Sequence, residues 1–132
     1  MFEVGVRAIF EAAHRLRGDF GPATRLHGHT YQVEVAVRGS ALAADGTLID
    51  VGLLRRLLDT ALAPLHYQDL DALEVFRGQN STAEVVARYL FSALRAGLAD
   101  TERVTILRVS VWESPSIYGS YEGPLRGHDQ AP

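Results

Sequence analysis

Three histidines are the residues whose type and spacing point most directly to chemistry. His27 and His29 lie two positions apart in a stretch where apolar and polar residues alternate. Side chains at positions i and i+2 share one face of a strand, so both imidazoles can reach a single ion. His14 ends the apolar face of the preceding alternating stretch, and it joins the pair if the two strands are neighbours. Three nitrogen ligands with an open fourth position are typical of a catalytic zinc site, and we expect one Zn²⁺ ion here.

Other interpretations of these histidines remain open. Histidine also suits iron, nickel and copper, so the residues alone do not fix the metal. The imidazoles can also be ordinary strand residues whose nitrogens are satisfied by hydrogen bonds. A His-x-His pair followed by a glutamate occurs in cupins, and Glu34 lies near that spacing. A cupin would need more strands and a later histidine, and it would contain no two-helix insertion, so we prefer the metal centre on a smaller sheet.

A carboxylate continues an apolar face near the other end of the chain. Glu113 follows Thr105, Leu107, Val109 and Val111 at two-residue spacing. An unpaired carboxylate is costly in such a position, so Glu113 needs a partner. The partner is either a ligand with two adjacent N–H groups, as on a pterin or guanine, or an arginine or backbone amides at the strand end. The spacing alone leaves both open.

Strands and helices that position these residues follow from the periodicity. Alternation predicts strands over residues 2–14 and about 27–38, which we expect to pair antiparallel, and further strands over about 103–113 and 116–122. Between the two strand pairs, apolar residues recur at helical spacing in two stretches. The order strand, strand, helix, helix, strand, strand indicates α+β: a four-stranded antiparallel sheet with two helices on one face.

Local signals mark where the two helices begin and end. Asp50 caps the first helix, which ends at Pro64. Ser81 and Glu84 form a capping box that opens the second helix. The residues between the helices, 65–79, have little periodicity and are predicted to form a loop.

Length, charge and residue composition limit the other functions that are possible. The 132 residues fit a single domain over 1–122 with a C-terminal tail over 123–132. A net charge of −3 provides no general attraction to nucleic acid or anionic membrane. No apolar run approaches the roughly 20 residues of a membrane span, and the N-terminus lacks a signal-peptide pattern, so a cytoplasmic location is expected. The chain has no cysteine and its thirteen basic residues are all arginine, which excludes thiol nucleophiles and a lysine Schiff base.

Five segments form a pattern that runs in order along nearly the whole chain. They are Phe-Glu-Ala-Ala-His-Arg-Leu at 10–16, Leu-His-Gly-His-Thr-Tyr at 26–31, Gly-Thr-Leu-Ile-Asp at 46–50, Asn-Ser-Thr-Ala-Glu at 80–84 and Trp-Glu-Ser at 112–114. The first two resemble the zinc motifs of the 6-pyruvoyltetrahydropterin synthase and 6-carboxytetrahydropterin synthase family. The next two resemble the starts of its two helices, and the last resembles the segment with its pterin-anchoring glutamate.

The resemblance implies a tunnelling fold, in which subunits join their sheets into a barrel, typically as a trimer or hexamer with active sites at subunit interfaces. It implies the substrate 7,8-dihydroneopterin triphosphate, with the metal acting on its side-chain hydroxyls as a Lewis acid. Glu113 would hold the pterin ring, and we place Thr82 with it among the substrate-binding residues. The product would be a pyruvoyl-pterin, or the carboxy-pterin that precedes deazapurines such as queuosine.

The chain departs from the family at its catalytic residues. The family's cysteine, three residues before Leu-His-Gly-His, is replaced by Ala23. The family also has an Asp-His pair in a Leu-Asp-His-x-x-Leu-Asn context between the helices. If the family's two leucines are aligned with Leu65 and Leu70, His66 takes the position of the family's aspartate and Tyr67 that of its histidine. If the alignment is shifted by one residue, His66 takes the position of the family's histidine. Either alignment breaks the usual proton-transfer set.

Among the remaining groups, His66 is the expected catalytic base, because an unperturbed imidazole titrates at about 6.5. Tyr67, Asp69 and Asp19 are weaker candidates, and the alternative for His66 is an exposed loop residue. Three functions follow: a zinc-dependent pterin synthase with an altered acid–base set, a related enzyme on another pterin or purine such as an aldolase or hydrolase, or a non-catalytic protein that binds metal and pterin.

Overall fold

The computed structural model describes residues 1–126. The elements follow in the order β1 (Phe2–His14), β2 (His27–Gly39), α1 (Val51–Leu62), β3 (Gln68–Asp69), α2 (Ala83–Gly97), β4 (Ile106–Ser114) and β5 (Ile117–Pro124). The strands form one sheet in the spatial order β3-β1-β2-β4-β5. The four long strands pair antiparallel with one another, and the short strand β3 runs parallel to β1. The architecture is α+β, as the sequence predicted.

Alternation in β1 and β2 sets the register between these strands. Phe10 lies opposite Tyr31, and His14 lies opposite His27. The Phe10 and Tyr31 rings are fully buried and stack with centroids 4.6 Å apart. A slip of one residue would turn this apolar face toward solvent, so burial of one face fixes which residues are neighbours at the strand ends.

Both helices bury an apolar face in the core formed with one side of the sheet. The buried residues are Leu54, Leu58 and Leu62 of α1, and Ala83, Val86, Ala87, Leu90, Phe91 and Leu94 of α2. The start of α2 approaches β5 so closely that a Cβ at Gly119 would lie 2.9 Å from the backbone nitrogen of Glu84. Glycine at this position lets the N-terminal end of α2 rest on the sheet.

The helix caps agree with the sequence for α1 and differ for α2. The Asp50 side chain accepts a hydrogen bond from the amide of Gly52, as expected of a cap. In α2 the cap is Thr82, whose hydroxyl oxygen accepts the amide of Val85. The predicted capping box with Ser81 was therefore wrong by one residue, and the Ser81 hydroxyl has other partners.

The predicted count of four strands, with a plain loop over residues 65–79, was also incomplete. Within this segment, β3 adds a fifth strand, in which Gln68 lies opposite Ala12 of β1. Short 3₁₀ turns follow at Leu70–Ala72 and Glu74–Phe76, and Leu70 and Phe76 are buried. A strand of two residues is too short to produce a periodic pattern, which is why alternation did not reveal it.

The C-terminal strand extends past the predicted boundary at residue 122. β5 continues to Pro124, and Leu125 is only 3% exposed. Residues 123–125 therefore pack with the sheet, while residues 127–132 of the predicted tail lie outside the described residues. None of the helices in the described part is both long and apolar enough to cross a membrane.

Candidate metal centre

The structure brings His14, His27 and His29 together at one end of the sheet. His14 ends β1 directly opposite His27, which begins β2, and His29 lies two residues further along the same face. One ring nitrogen from each residue lies within 4.8 Å of the others. The centroids of the His14 and His27 rings are 4.6 Å apart, and those of His27 and His29 are 4.8 Å apart. The cluster is thus a direct result of strand alternation and antiparallel pairing.

Hydrogen bonds fix the orientation of two of the three imidazoles. His14 Nδ1 lies 2.8 Å from the carbonyl oxygen of Ser81, and His27 Nδ1 lies 2.7 Å from the carbonyl oxygen of Arg25. A carbonyl can only accept, so in both rings Nδ1 carries the proton and donates it. The Nε2 lone pairs of His14 and His27 are therefore free for an ion, which is the usual arrangement of metal-binding histidines.

The third imidazole has a buried nitrogen without a partner. His29 Nε2 is one of two buried side-chain polar atoms in the described residues that have no hydrogen-bond partner. Burial lowers the pKa of His29, and the imidazoles of His14 and His27 act in the same direction while Glu113 opposes them. A neutral imidazole with a buried, unpartnered nitrogen is the form that binds a divalent ion. The residues present therefore fit a metal ion.

The carboxylate of Glu113 lies beside this cluster. Its Oε2 atom is 3.9 Å from His14 Nε2, and the Glu113 side chain is 20% exposed. No arginine and no backbone amide of the described residues bonds to the carboxylate. Of the two partners left open by the sequence, the internal one is not found within residues 1–126, and the carboxylate remains available to a ligand.

Tyr31 is the second buried residue with an unpartnered polar atom. Its hydroxyl has no partner among the described residues, and its ring centroid lies 5.2 Å from that of His29. Burial raises the pKa of the Tyr31 phenol, and the charges of Glu113 and Asp71 act in the same direction. The phenol therefore stays protonated, and Tyr31 is not a base.

His66, Tyr67 and Asp69 lie on the outer edge of β1 rather than in the histidine cluster. His66 Nδ1 accepts the amide of Glu11 at 3.0 Å, and the amide of Tyr67 donates to the Glu11 carbonyl at 2.6 Å. The Asp69 side chain accepts the amide of Asp71. None of the three catalytic candidates is hydrogen-bonded to a cluster histidine in residues 1–126.

A cavity nevertheless connects this edge with one of the clustered histidines. Its volume is about 550 Å³, and its lining includes Glu11, His29, Tyr67 and Asp69. Tyr67 is 76% exposed and has a left-handed backbone conformation, with φ of 59°, which is uncommon for a residue other than glycine. Tyr67 and Asp69 thus share a cavity with His29, whereas His66 does not line it.

Two residues beside the cluster were not identified as site residues from the sequence. Ser81 was interpreted only as a helix cap, and Asp71 was assigned to a loop. The structure places Ser81 against His14 Nδ1 and Asp71 against Ser81. No spacing signal marks either residue, because their partners lie 67 and 10 positions away in the sequence.

Fold and site together define the class of protein: an α+β protein whose sheet carries a three-histidine cluster able to hold a metal ion, with the Glu113 carboxylate beside it. The chain belongs to the 6-pyruvoyl tetrahydropterin synthase family, whose family model matches residues 3–124. This confirms the family and the tunnelling fold predicted from the motifs, and the family is one of pterin synthases.

The relatives of this chain include proteins named for different activities. The 6-carboxy-5,6,7,8-tetrahydropterin synthase of Bacillus subtilis is 33% identical over 96% of this chain and 88% of its own length. The dihydroneopterin monophosphate aldolase of Pyrococcus furiosus is 30% identical over 81% of this chain and 85% of its own length. The structure of Caenorhabditis elegans 6-pyruvoyl tetrahydropterin synthase matches with a TM-score of 0.77 at 28% identity, covering 93% of this chain and 97% of that one.

Proposed function

We propose that the protein is a zinc-dependent enzyme that acts on 7,8-dihydroneopterin triphosphate or a close relative. The observation that supports this most is the joint geometry of the histidine cluster and Glu113. Three imidazoles offer nitrogens within 4.8 Å of one another, and a carboxylate oxygen of Glu113 lies 3.9 Å from one of them. Such a site has one anchor for a cation and one for the N–H edge of a ring, as a metal enzyme for pterins requires.

Each residue of the site has a distinct task in this proposal. His14, His27 and His29 would hold zinc, which when bound acts as a Lewis acid toward the hydroxyls of the substrate side chain. Glu113 would accept hydrogen bonds from two adjacent N–H groups of the pterin and so fix the position of the ring. The Thr82 hydroxyl oxygen accepts the amide of Val85, which leaves its O–H and one lone pair for the substrate.

Proton transfer must proceed without the family's cysteine, and the bond to Glu11 limits how His66 can take part in it. Because His66 Nδ1 accepts the amide of Glu11, the neutral ring carries its proton on Nε2. We therefore propose that His66 transfers a proton only after Nδ1 releases the amide of Glu11, because a neutral ring that gave up its Nε2 proton would become an imidazolate. Tyr67 and Asp69 remain the alternatives, and both share the cavity with His29.

The open edges of the sheet support an oligomer. The edge strand β5 has no partner on its outer side in the described chain, and β3 covers only the end of β1. Unpaired edges favour association with another sheet. We expect a trimer or a hexamer, with light scattering at micromolar concentration as the measurement. A monomer under these conditions would refute this assembly.

A second function is an aldolase acting on a phosphorylated dihydroneopterin. The similarity to the aldolase of Pyrococcus furiosus and the replacement of the family's cysteine by Ala23 both support it. An aldol cleavage needs a proton donor and acceptor at the side-chain hydroxyls, and it makes no demand for a thiol. A protein that binds metal and pterin without turnover is the remaining alternative.

Mass spectrometry of the products separates these functions. Zinc-loaded protein is incubated with 7,8-dihydroneopterin triphosphate and, separately, with the monophosphate, and the side chain left on the ring is identified. A carboxy- or pyruvoyl-pterin supports the synthase, and the former would place the enzyme before deazapurines such as queuosine. A ring with a one-carbon hydroxymethyl side chain supports the aldolase. Tight pterin binding with no product would exclude both enzymes.

A further inference from the structure

A chain of hydrogen bonds leads from the histidine cluster to a carboxylate outside it. His14 Nδ1 lies 2.8 Å from the Ser81 carbonyl oxygen and 3.2 Å from Ser81 Oγ. Ser81 Oγ in turn donates to Asp71 Oδ1 at 2.8 Å. His14 and Ser81 are 1% and 0% exposed, so water does not compete for the bonds between them, whereas Asp71 at the end of this chain of hydrogen bonds is exposed.

The second carboxylate oxygen of Asp71 is also occupied. Asp71 Oδ2 accepts the amide of Arg15 at 2.8 Å, and Arg15 is the residue that follows His14. One carboxylate therefore holds both the hydrogen-bond partner of the His14 ring and the backbone next to His14. It joins the segment between the helices to the end of β1 and to the residue before the α2 cap.

We propose that Asp71 is a positioning residue for the metal ligand His14, and that it acts through Ser81. The bond from Ser81 Oγ to Asp71 keeps Ser81 in the orientation in which its carbonyl accepts the Nδ1 proton. This leaves His14 Nε2 deprotonated and directed at the cluster. The negative charge of Asp71 also offsets the positive charge that the ring acquires when Nε2 binds a cation.

The geometry excludes a role of Asp71 as a ligand of the same ion. Both of its oxygens have donors, and its link to the His14 ring runs through Ser81, which lies on the Nδ1 side of that ring, opposite to Nε2. The inference depends on the proposed function in one respect only, which is that the three histidines bind a metal. It requires no statement about the substrate or the reaction.

The test is the zinc affinity of metal-stripped protein, measured by competition with a chromophoric chelator. Asparagine in Asp71→Asn has the shape of the native side chain but only one accepting oxygen and no charge. We expect zinc to bind about 10- to 100-fold more weakly, the usual effect of losing such a partner. Asp59→Asn is the matched control, because Asp59 is exposed on α1, and its affinity should equal that of wild type.

Ser81→Ala shows whether Asp71 acts through Ser81. Ser81→Ala alone should weaken zinc about as much as Asp71→Asn, and the double variant should be no weaker than either, because both substitutions break one path. Ser110→Ala, at another buried serine, controls for the loss of a buried hydroxyl. Imidazole NMR of the metal-free proteins supplies a second readout: the fraction of His14 with its proton on Nδ1 should fall in both variants.

Failure of this inference about Asp71 can be told apart from failure of the proposed function. Wild-type affinity in Asp71→Asn, or losses that multiply in the double variant, would overturn the positioning role while the metal centre stands. A wild type that binds no zinc would overturn the metal centre and this inference with it. Thermal unfolding of the metal-free proteins identifies a variant that does not fold, and if Asp71→Asn fails, Ser81→Ala with its NMR readout decides.

Discussion

Either His27→Ala or His29→Ala is expected to remove most of the bound metal from a protein that otherwise carries about one divalent ion per chain. The three imidazoles lie within 4.8 Å of one another, so each substitution removes a third of the nitrogen ligands at one point. The measurement is elemental analysis of the purified proteins after dialysis against metal-free buffer. His27 and His29 contribute their side chains to one face of β2, and the substitutions leave the backbone pairing of the strand in place. Circular dichroism should therefore show that the sheet is retained.

His66→Ala is the control for metal content. His66 bonds to the backbone of Glu11 and lies outside the cluster, so this variant should keep its metal. Full metal content in both His27→Ala and His29→Ala would show that the assignment of the metal site is wrong.

His66→Ala should lower turnover by about 10²–10⁴-fold, the usual cost of removing an acid–base group. Pterin affinity should remain nearly unchanged, because the ring is held by Glu113 and the side chain by the metal. Glu113→Ala should show the opposite pattern and weaken pterin binding first. Steady-state rates together with equilibrium binding of a reduced pterin measure both effects.

His66→Asn separates proton transfer from a structural role of this residue. The asparagine oxygen can take the place of Nδ1 and accept the amide of Glu11, but the side chain cannot transfer a proton at neutral pH. If His66 transfers a proton, His66→Asn should be as slow as His66→Ala. Wild-type turnover in His66→Asn would instead give His66 a structural role at the strand edge, and undiminished turnover in His66→Ala would move the catalytic role to Tyr67 or Asp69.

The histidine cluster could be predicted from the sequence because it depends on two regular features. Alternation places His27 and His29 on one face of β2, and antiparallel pairing of β1 with β2 brings His14 opposite His27. The same alternation in β4 places Glu113 on that face. Long strands with one buried side leave few choices of register, so the neighbours at their ends follow from the pattern.

Other parts of the site depend on contacts that no periodic pattern encodes. The short strand β3 is too brief to alternate, and the bonds from Ser81 to His14 and Asp71 depend on how the segment between the helices folds back onto β1. The bond from Glu11 to His66 also arises there, and it fixes which ring nitrogen carries the proton. These contacts are made across loops, and residue types alone do not specify them.

The dependence of turnover on metal is the most direct test of the central claim. Metal-stripped protein is titrated with zinc while consumption of 7,8-dihydroneopterin triphosphate and formation of product are followed by mass spectrometry. Activity should be absent without metal, rise in proportion to added zinc and level off at about one ion per chain. Equal product formation with and without metal, or none at any zinc concentration, would contradict a zinc-dependent pterin enzyme built on His14, His27 and His29.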